Sequence, residues 1–483
     1  MRQSPRDRLA VLLAELDPAL SPPPDAAGVA AALAPHLASA GPDVIWLALS
    51  VLRAQFPLRA DVIGARRALA LGDPAEWALR QARNPVTLGI LRTGGARPVR
   101  VVRDADVVDV HHTARTGLAT GIQRVVRQTV AQWAESRSVL LVGWGSTFGG
   151  TRELTPDERE NALYGTKPNA IHPPTGEVTI PWKSRYILPE LAIESDRTAR
   201  IAALAEFSGN STAAIGFDCV PLTSAETTAA GMGAAFSRNL VALAHFDIVA
   251  TISAAAATEY EGWRAMLGSA GLTGPRIQEV FLPIEVGTVD DTEILSAEAV
   301  LLTGDLPMLL CVGSHEPRKN HLAVLAAAER LWNAGRQFSL VFIGGNSWGS
   351  GAFVRELERL QEAGRPVSSI SAVTDELLYS AYRLATASVF PSWNEGFGLP
   401  VAESIASGTP VVTSKFGSMA EIAEGGGAVL VDPRREDELR DAIESVLFDL
   451  EVSDRLRAEA RTRVTTSWAQ YADDTWECFR SAT

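Results

Sequence analysis

The chain has 483 residues, of which 46% are hydrophobic and 21% are charged, a composition typical of a globular protein with roughly two or three domains. Its 44 basic and 57 acidic residues give a net charge of −13, which argues against a dedicated nucleic-acid-binding protein. The three cysteines are too widely spaced for a metal site or a disulfide framework. We expect no signal peptide and no membrane span, and therefore a cytoplasmic protein.

Residues 1–96 are predicted to form an N-terminal helical extension. Apolar residues recur at helical spacing in DRLAVLLAEL, VIWLALSVLRAQF and DVIGARRALAL. The segment RTGGARPVR, residues 92–100, then carries Gly, Pro and three arginines and is predicted to be a solvated linker. Contact of this basic segment with an anionic lipid or a sugar phosphate is the alternative.

Two series of alternating strands and helices follow. The first, predicted for residues 97–289, includes the strands VVDV, SVLLVGW, AAIGFDCVP, DIVATIS and IQEVFLP. The second, predicted for residues 290–465, includes MLLCVG, SLVFIGG, ASVFPS, TPVVTS and AVLVDP. Strands that alternate with helices of about 10–15 residues are typical of parallel sheets with helices on their faces. We therefore expect an α/β protein with two facing Rossmann-like domains.

The segment NEGFGLPVAES, residues 394–404, contains two glutamates on either side of a helix start at Pro400. Glu395 lies in the loop that leaves the predicted strand ASVFPS, and Glu403 lies about one turn into the helix. Ligands of parallel sheets bind at the carboxyl ends of the strands, where helix amino ends attract anions. Gly396 and Gly398 are expected to let the backbone approach a phosphate closely.

Carboxylates accept hydrogen bonds from vicinal hydroxyls. Two of them beside a phosphate-binding helix end therefore predict a nucleotide-sugar site. The alternative is that both glutamates only stabilise the helix dipole.

A second segment, VGSHEPRKNH, supports the nucleotide-sugar interpretation. It places Gly313 and Ser314 directly after a predicted strand, and Arg318 and Lys319 just before a helix. Two cations would then face the same crevice as the glutamates. They would neutralise phosphate beside the hydroxyl-binding carboxylates.

These segments resemble the retaining, metal-independent glycosyltransferases of family 4, which have the GT-B fold. The resemblance covers about residues 97–483 and rests on EGFGLPVAE followed by SGTPVVTSKFGSMAE, on VGSHEPRKNHLAVL, on SAVTDELLYSAYRLA and on GLATGIQRVVRQTV. It implies transfer of a hexose from a nucleotide-diphosphate sugar, which is the co-substrate, without a cofactor or a metal. It also implies that residues 466–483 form a helix crossing back to the first domain, with Trp468 and Trp476 as packing residues.

The resemblance also assigns roles in the second domain. Glu395 would contact the hydroxyls of the donor sugar and Glu403 the ribose, while Arg318 and Lys319 would neutralise the leaving diphosphate. The backbone of three residues would contact the phosphates: Phe397, Gly398 and Leu399. Many family members carry Arg directly after the glycine of the first strand, where this chain has Ser314 after Gly313, so Arg318 and Lys319 are the expected charge pair.

In the first domain, the loop TGLATGIQR resembles the family's glycine-containing loop. Gly121 would approach the donor phosphates and Arg124 would line the cleft; an ordinary strand-to-helix turn is the alternative. In GFDCVP, Asp218 matches the family pattern, but Phe217 stands where a histidine is common. Three histidines are candidates for the missing contact: His111, His112 and His245.

The resemblance implies a mechanism in which the acceptor attacks from the front face and the leaving phosphate takes its proton. Asp104 and Asp106 form a D-x-D pattern, which other transferases use for a divalent ion; here it precedes the first-domain strand and is predicted to be solvated. Other hypotheses are a nucleotide-sugar 2-epimerase, a non-catalytic nucleotide-sugar-binding protein, and a glucan phosphorylase, which would need a much longer chain.

The sequence motifs specify the donor sugar less clearly than they specify the enzyme family they resemble. The EPRKN and TGIQR variants resemble mannosyl- and rhamnosyltransferases of bacterial surface polysaccharide assembly, so GDP-mannose is the preferred donor, with UDP- and dTDP-sugars such as dTDP-rhamnose as alternatives. The acceptor would be a glycan or a lipid-linked molecule. A lipid-linked acceptor would bring the protein into peripheral contact with the inner face of the membrane.

Overall fold

The computed structural model describes residues 3–83, 97–117, 120–166, 176–301, 304–464 and 466–481. Most of the predicted linker RTGGARPVR lies outside these ranges, so its interpretation stays a prediction. Among the described residues, no helix combines the length and the hydropathy that crossing a bilayer requires.

Five helices form the described part of the N-terminal extension: α1 (Pro5–Leu16), α2 (Ala26–Ala38), α3 (Pro42–Arg53), α4 (Arg59–Leu71) and α5 (Pro74–Arg83). Their apolar faces share one core with a face of the first sheet. The Phe56 ring packs between Trp46 of α3 and Trp144 of the sheet, at centroid distances of 5.2 and 5.5 Å. The Phe56 backbone N–H also donates to the Gly149 carbonyl at 2.7 Å. The extension is therefore built onto the first sheet.

The described residues between 97 and 289 form a nine-stranded sheet with the order β1-β5-β4-β3-β2-β6-β7-β8-β9. The strands are β1 (Val99–Val102), β2 (Asp106–Asp109), β3 (Val139–Trp144), β4 (Thr151–Glu153), β5 (Val178–Pro181), β6 (Arg185–Leu188), β7 (Ser211–Gly216), β8 (Ile248–Thr251) and β9 (Arg276–Glu279). The helices that accompany it are α6 (His111–Arg115), α7 (Gly121–Ser136), α8 (Pro156–Tyr164), α9 (Ser195–Phe207), α10 (Val220–Thr223), α11 (Met232–Leu243) and α12 (Ala254–Leu267).

This sheet departs from the predicted parallel arrangement at β4, which runs antiparallel to β3 and β5. Only residues 145–150 separate β3 from β4, and a parallel connection needs a crossover of a dozen or more residues. The remaining pairs are parallel, so the carboxyl ends of β2, β6, β7 and β8 meet at one edge. That edge faces the second sheet.

The second half contains a six-stranded sheet, parallel throughout its described pairs, with the order β12-β11-β10-β13-β14-β15. Its strands are β10 (Met308–Val312), β11 (Ser339–Ile343), β12 (Val367–Ile370), β13 (Ala387–Phe390), β14 (Val411–Ser414) and β15 (Ala428–Val431). The helices are α13 (Asp291–Leu301), α14 (His321–Asn333), α15 (Gly351–Glu362), α16 (Asp375–Leu384), α17 (Leu399–Ala406), α18 (Gly417–Ala423), α19 (Glu436–Phe448) and α20 (Leu450–Arg461).

The last described helix, α21 (Trp468–Arg480), packs on α7 of the first half. The Trp133 indole N–H donates to the Ala472 carbonyl at 2.9 Å, and the Trp133 and Trp476 rings lie 5.4 Å apart. Trp476 is a buried packing residue, and Trp468 packs edge-on against Tyr471. The domain boundaries at residues 96, 289 and 465 stay predictions.

Candidate donor-binding site

The candidate site lies where two neighbouring strands of the second sheet end. The segment after β10 runs through a single 3₁₀ turn, Pro317–Lys319, and the segment after β13 leads to α17. The two loops are joined by their backbones, because the Trp393 N–H donates to the Arg318 carbonyl at 3.0 Å. The second sheet therefore brings Arg318 and Lys319 next to Glu395, as the sequence predicted for the crevice.

Glu395 is the centre of the first cluster. Its Oε2 lies 2.5 Å from Arg318 Nη1, and its Oε1 accepts from Lys319 Nζ at 2.8 Å and from the Ser392 hydroxyl at 2.7 Å. Burial raises the pKa of this carboxyl, but Arg318 and Lys319 outweigh the effect of burial and hold the pKa at about 2. Glu395 is therefore ionised over the physiological pH range.

Gly313 and Ser314 lie beside this cluster. Gly313 adopts a φ of 141°, a conformation that favours glycine, and a Cβ at this position would lie 3.6 Å from Lys319 Cε. The Ser314 hydroxyl donates to Glu316 Oε1 at 2.5 Å, and Arg318 Nη2 lies 3.4 Å from the other oxygen of Glu316. Ser314 thus reaches the cluster through Glu316.

Glu403 is the centre of a second cluster, which joins the two halves. Arg124 of α7 donates from Nη1 to Glu403 Oε1 at 2.6 Å, and the Tyr382 hydroxyl donates to Oε2 at 3.0 Å. Arg124 also contacts the Tyr379 hydroxyl and lies over the Tyr379 ring. Burial raises the pKa of the Glu403 carboxyl, and Arg124 offsets only part of this effect. Arg124 therefore lies at the contact between the two halves, beside Glu403 and Tyr379.

Two helix amino ends face each other between the clusters. α17 begins at Leu399, after Gly398 with a φ of 108°, and α7 begins at Gly121. Among the described residues, no side chain caps either helix, and a Cβ at Gly121 would lie only 3.7 Å from Leu399 Cδ1. Unpaired N–H groups and the helix dipoles make such ends favourable places for an anion.

Phe397 and Gly396 play roles that the sequence did not reveal. The Phe397 side chain is buried against the Phe281 ring at a centroid distance of 5.0 Å, so only its backbone is available to a ligand. A Cβ at Gly396 would lie 2.4 Å from the Phe217 carbonyl oxygen and 3.0 Å from Asp218 Oδ2. The missing side chain of Gly396 therefore makes room for the other half of the protein, and the expectation that its backbone approaches a phosphate stays a prediction.

Asp218 lies at the edge of the first cluster. Its Oδ1 accepts from the Val220 N–H at 3.1 Å, and its Oδ2 faces Gly396. Burial raises the pKa of Asp218 to about 6, although the nearby Arg318 acts in the opposite direction. Asp218 thus takes part in the contact between the two halves next to Arg318.

The three candidate histidines are engaged elsewhere. His111 Nδ1 accepts from the Trp144 N–H at 3.0 Å, and burial lowers the pKa of His111 to about 3. His112 Nε2 lies 2.7 Å from the Glu194 carboxylate. Burial lowers the pKa of His112, but Glu194 and Glu190 outweigh it and the net shift is upward. In the described residues, neither histidine contacts Glu395 or Glu403.

His245 lies 3.9 Å from Glu206, which pairs with Arg59 of the helical extension. This places His245 against the extension. None of the three histidines contacts Glu395 or Glu403 among the described residues, and the expectation that one of them replaces a histidine at position 217 stays a prediction.

The D-x-D pattern lies at the opposite end of its strand from the candidate site. Asp106 is the first residue of β2 and pairs with Arg185 at 3.4 Å, and Asp104 is exposed before the strand. The candidate site lies at carboxyl ends of strands. Over the described ranges, no group of three or more His, Cys, Asp or Glu side chains is arranged to hold a metal ion.

Several side chains of the site were not singled out from the sequence: Tyr379, Tyr382, Ser392, Asn394 and Glu316. The two tyrosines lie in SAVTDELLYSAYRLA, where they look like members of an ordinary apolar helix face. The sequence offered one indication of their role, because a tyrosine hydroxyl that is buried in a helix face needs a hydrogen-bond partner. A carboxylate predicted at the next strand end could have supplied one.

Comparison with known proteins agrees with this geometry. The family model described as "Glycosyl transferases group 1" matches residues 296–463. The serotype-specific mannosyltransferase WbdA of Escherichia coli is 25% identical over 333 residues, which cover 66% of this chain and 40% of that relative. The chain thus spans less than half the length of this curated relative.

Two solved structures show the same fold. Sucrose-phosphate synthase from Thermosynechococcus elongatus has a TM-score of 0.55 at 19% identity, over 78% of this chain and 99% of that one. Anabaena Alr3699/HepE in complex with UDP has a TM-score of 0.56 at 13% identity, over 78% and 100%. The predicted fold is confirmed. The chain therefore has the GT-B fold, and its residues 296–463 match the glycosyl transferases group 1 model.

Proposed function

We propose that this chain is a retaining, metal-independent glycosyltransferase that moves a hexose from a nucleotide-diphosphate sugar to a glycan or lipid-linked acceptor in bacterial surface polysaccharide assembly. The observation that carries the proposal is the Glu395 carboxylate, held by Arg318 and Lys319 beside the facing amino ends of α7 and α17. This arrangement offers cations and helix dipoles to a diphosphate and an ionised carboxylate to a sugar.

The free acceptor positions of the two carboxylates fit this assignment. An ionised carboxylate has about four lone-pair sites, and Glu395 uses three of them for Arg318, Lys319 and Ser392. One site remains for a hydroxyl of the donor sugar. Glu403 uses two sites for Arg124 and Tyr382, which leaves two for the vicinal hydroxyls of a ribose.

The same groups support the chemistry of glycosyl transfer. Charge develops on the diphosphate as it leaves, and preorganised donors in a partly dry site stabilise that charge. Arg318, Lys319 and the amino ends of α7 and α17 would supply these donors. Glu395 is a weak base because its pKa is about 2, so we assign the acceptor's proton to the leaving phosphate, with attack from the front face of the sugar.

For the donor we propose GDP-mannose, supported by the similarity to a mannosyltransferase. A UDP-sugar is the second candidate, because the GT-B neighbour Alr3699/HepE was solved with UDP; a dTDP-sugar such as dTDP-rhamnose is a third. We place the enzyme in the cytoplasm, with peripheral contact at the inner membrane face when the acceptor is lipid-linked.

The experiment that tests the function is nucleotide release from a panel of GDP-, UDP-, dTDP- and ADP-sugars, with and without EDTA. EDTA-resistant release from one donor, with a sugar product of unchanged stereochemistry by NMR, would support the proposal and identify the donor. A 2-epimerase would instead yield an epimerised sugar. A binding protein would bind the nucleotide in calorimetry without any release.

A further inference from the structure

The side chain of Asn394, directly before Glu395, crosses from the second half of the protein to the first. Its Nδ2 lies within hydrogen-bond distance of three acceptors: Thr223 Oγ1 at 3.2 Å, Ser224 Oγ at 3.4 Å and Glu259 Oε1 at 3.3 Å. Asn394 thus connects the donor loop to the end of α10 and to α12.

Glu259 of α12 holds the acceptors for Asn394 in place. Its Oε2 accepts from the Cys219 N–H at 2.7 Å, and its Oε1 accepts from the Thr223 hydroxyl at 3.0 Å. Because both oxygens are engaged with the start and the end of α10, the segment that receives Asn394 is fixed relative to α12. A second hydrogen bond nearby also connects the donor loop to the first half, since the Ser253 hydroxyl donates to the Gly396 carbonyl at 2.6 Å.

On the other side, Asn394 is linked directly to the reactive cluster. Its backbone carbonyl accepts from Arg318 Nη1 at 2.6 Å, and the same nitrogen lies 2.5 Å from Glu395 Oε2. Asn394 is therefore one peptide bond from Glu395 and one hydrogen bond from Arg318. A rotation of this peptide would move both partners of the ion pair.

We propose that Asn394 is a positioning residue that acts together with Glu259. The bridge between them sets the orientation of Glu395 and Arg318 when the two halves are in contact. This inference rests on the proposed function and adds to it the residues that couple contact between the halves to the donor-sugar geometry. The bonds of Asn394 to the first half are of ordinary strength, but a displacement of about 1 Å at a reacting centre costs about 100-fold in rate.

The first test is a kinetic comparison of Asn394→Ala with the wild type on the donor that the panel identifies. We expect kcat to fall about 10-fold to 100-fold, with a smaller change in the nucleotide Kd. Glu403 and the helix ends, which Asn394 does not touch, would still hold the nucleotide. Asn333→Ala is the matched control, because Asn333 ends α14 and contacts only the exposed Arg365 side chain among the described contacts. A wild-type kcat in Asn394→Ala would overturn the inference.

A rescue experiment separates positioning from a general loss of packing. Asn394→Asp places two carboxylates against each other at Glu259 and should lower kcat further than Asn394→Ala. Adding Glu259→Gln supplies an amide that donates to the new aspartate, and should restore at least part of the lost rate. A double variant no faster than Asn394→Asp would overturn the pairing.

Hydrogen exchange tests the bridge without any donor. Asn394→Ala and Glu259→Gln should each speed backbone exchange in residues 392–396, whereas Asn333→Ala should not. Unchanged exchange in this segment would overturn the coupling even if the wild type released no nucleotide from any donor. Absence of release with faster exchange would instead count only against the proposed function.

Discussion

The two carboxylate clusters differ in where their partners come from. Glu395 is paired with Arg318, Lys319 and Ser392, all in the second half of the chain. Glu403 is paired with Arg124, which lies in the first half and 279 positions away in the sequence. The first cluster can thus form within the second half alone, whereas the second is complete only while the halves are in contact.

By our proposal, this difference gives the two clusters different tasks: the Glu395 cluster serves catalysis and the Glu403 cluster serves nucleotide binding. The Glu395 cluster brings the sugar- and phosphate-binding groups together within one half, and by our proposal the Asn394 bridge then fixes their orientation, which favours catalysis by preorganisation. A shared Glu403 cluster links nucleotide binding to the position of the first half, because the same carboxylate serves Arg124 and, by our proposal, the ribose. Breaking the first cluster should therefore affect the rate, and breaking the second should affect affinity.

The largest effect is expected from Glu395→Gln. The amide keeps the shape but loses the charge that Arg318 and Lys319 neutralise, so we expect kcat to fall about 100-fold to 1,000-fold. The buried cations would be left uncompensated, and stability should fall by about 3 kcal/mol. Nucleotide release and thermal unfolding measure the two losses.

The exposed Glu358 provides the control for this prediction. Glu358→Gln should change neither quantity. A Glu395→Gln variant that released nucleotide at the wild-type rate would show that the Glu395 cluster is only structural.

The next effect is expected from Gly396→Ala, which disturbs the contact between the halves without changing any charge. The new Cβ would clash with the Phe217 carbonyl oxygen, so the donor loop and Glu395 must shift, and we expect kcat to fall about 10-fold to 100-fold. Gly345→Ala is the matched control, because a Cβ there meets nothing within 4 Å. Equal rates for the two variants would contradict the close approach at Gly396.

A smaller effect is expected from Arg124→Met, which breaks the second cluster. Burial already raises the pKa of Glu403, and loss of Arg124 would raise it further and weaken the carboxylate as an acceptor for ribose. We expect the nucleotide Kd to rise about 10-fold, which is about 1.4 kcal/mol, while kcat at saturating donor changes little. Calorimetry with GDP and UDP measures the change, and an unchanged Kd would remove Arg124 and Glu403 from the nucleotide site.

The last effect is expected on the pH dependence of stability, and it leaves both carboxylate clusters unchanged. The pKa of Asp218 in the folded protein is raised from 3.8 to about 6, so its stabilising contribution is complete below about pH 4 and is lost as the pH rises through 6. Asp218→Asn should therefore be more stable than the wild type at pH 7 by about 2 kcal/mol, since the side chain is partly exposed and the full shift is discounted. Thermal unfolding at pH 4 and pH 7 tests this: an equal difference at both pH values would contradict the raised pKa.

Much of the second half could be predicted from the sequence because its signals are local. Pro400 and Gly408 mark the start and end of α17, the apolar runs mark the strands, and the cations after β10 adjoin Glu395 because neighbouring parallel strands end at one edge. Strands β4, β5, β6 and β12 were not singled out from the sequence. Length is not the reason, because the predicted strands β13 and β14 also have four residues; β4, with the sequence TRE, contains no apolar residue that would indicate a strand.

The contacts between the halves could not be predicted, because they depend on the relative orientation of two sheets. Nothing near Arg124 in the sequence indicates that Glu403 is its partner. Gly396 illustrates the same limit: a glycine required by close approach looks the same whether the approaching group is a phosphate or a backbone carbonyl. Asn394 likewise looks like an ordinary loop residue until the first half is placed against it.

The most direct test of the central claim is hydrogen–deuterium exchange of the wild type with and without GDP and UDP. The claim is that a nucleotide diphosphate binds between the amino ends of α7 and α17, beside Glu395 and Glu403. We predict protection of three segments by the nucleotide that binds: residues 120–125, 313–319 and 392–403. Nucleotide binding with no added protection in any of these segments would contradict the account.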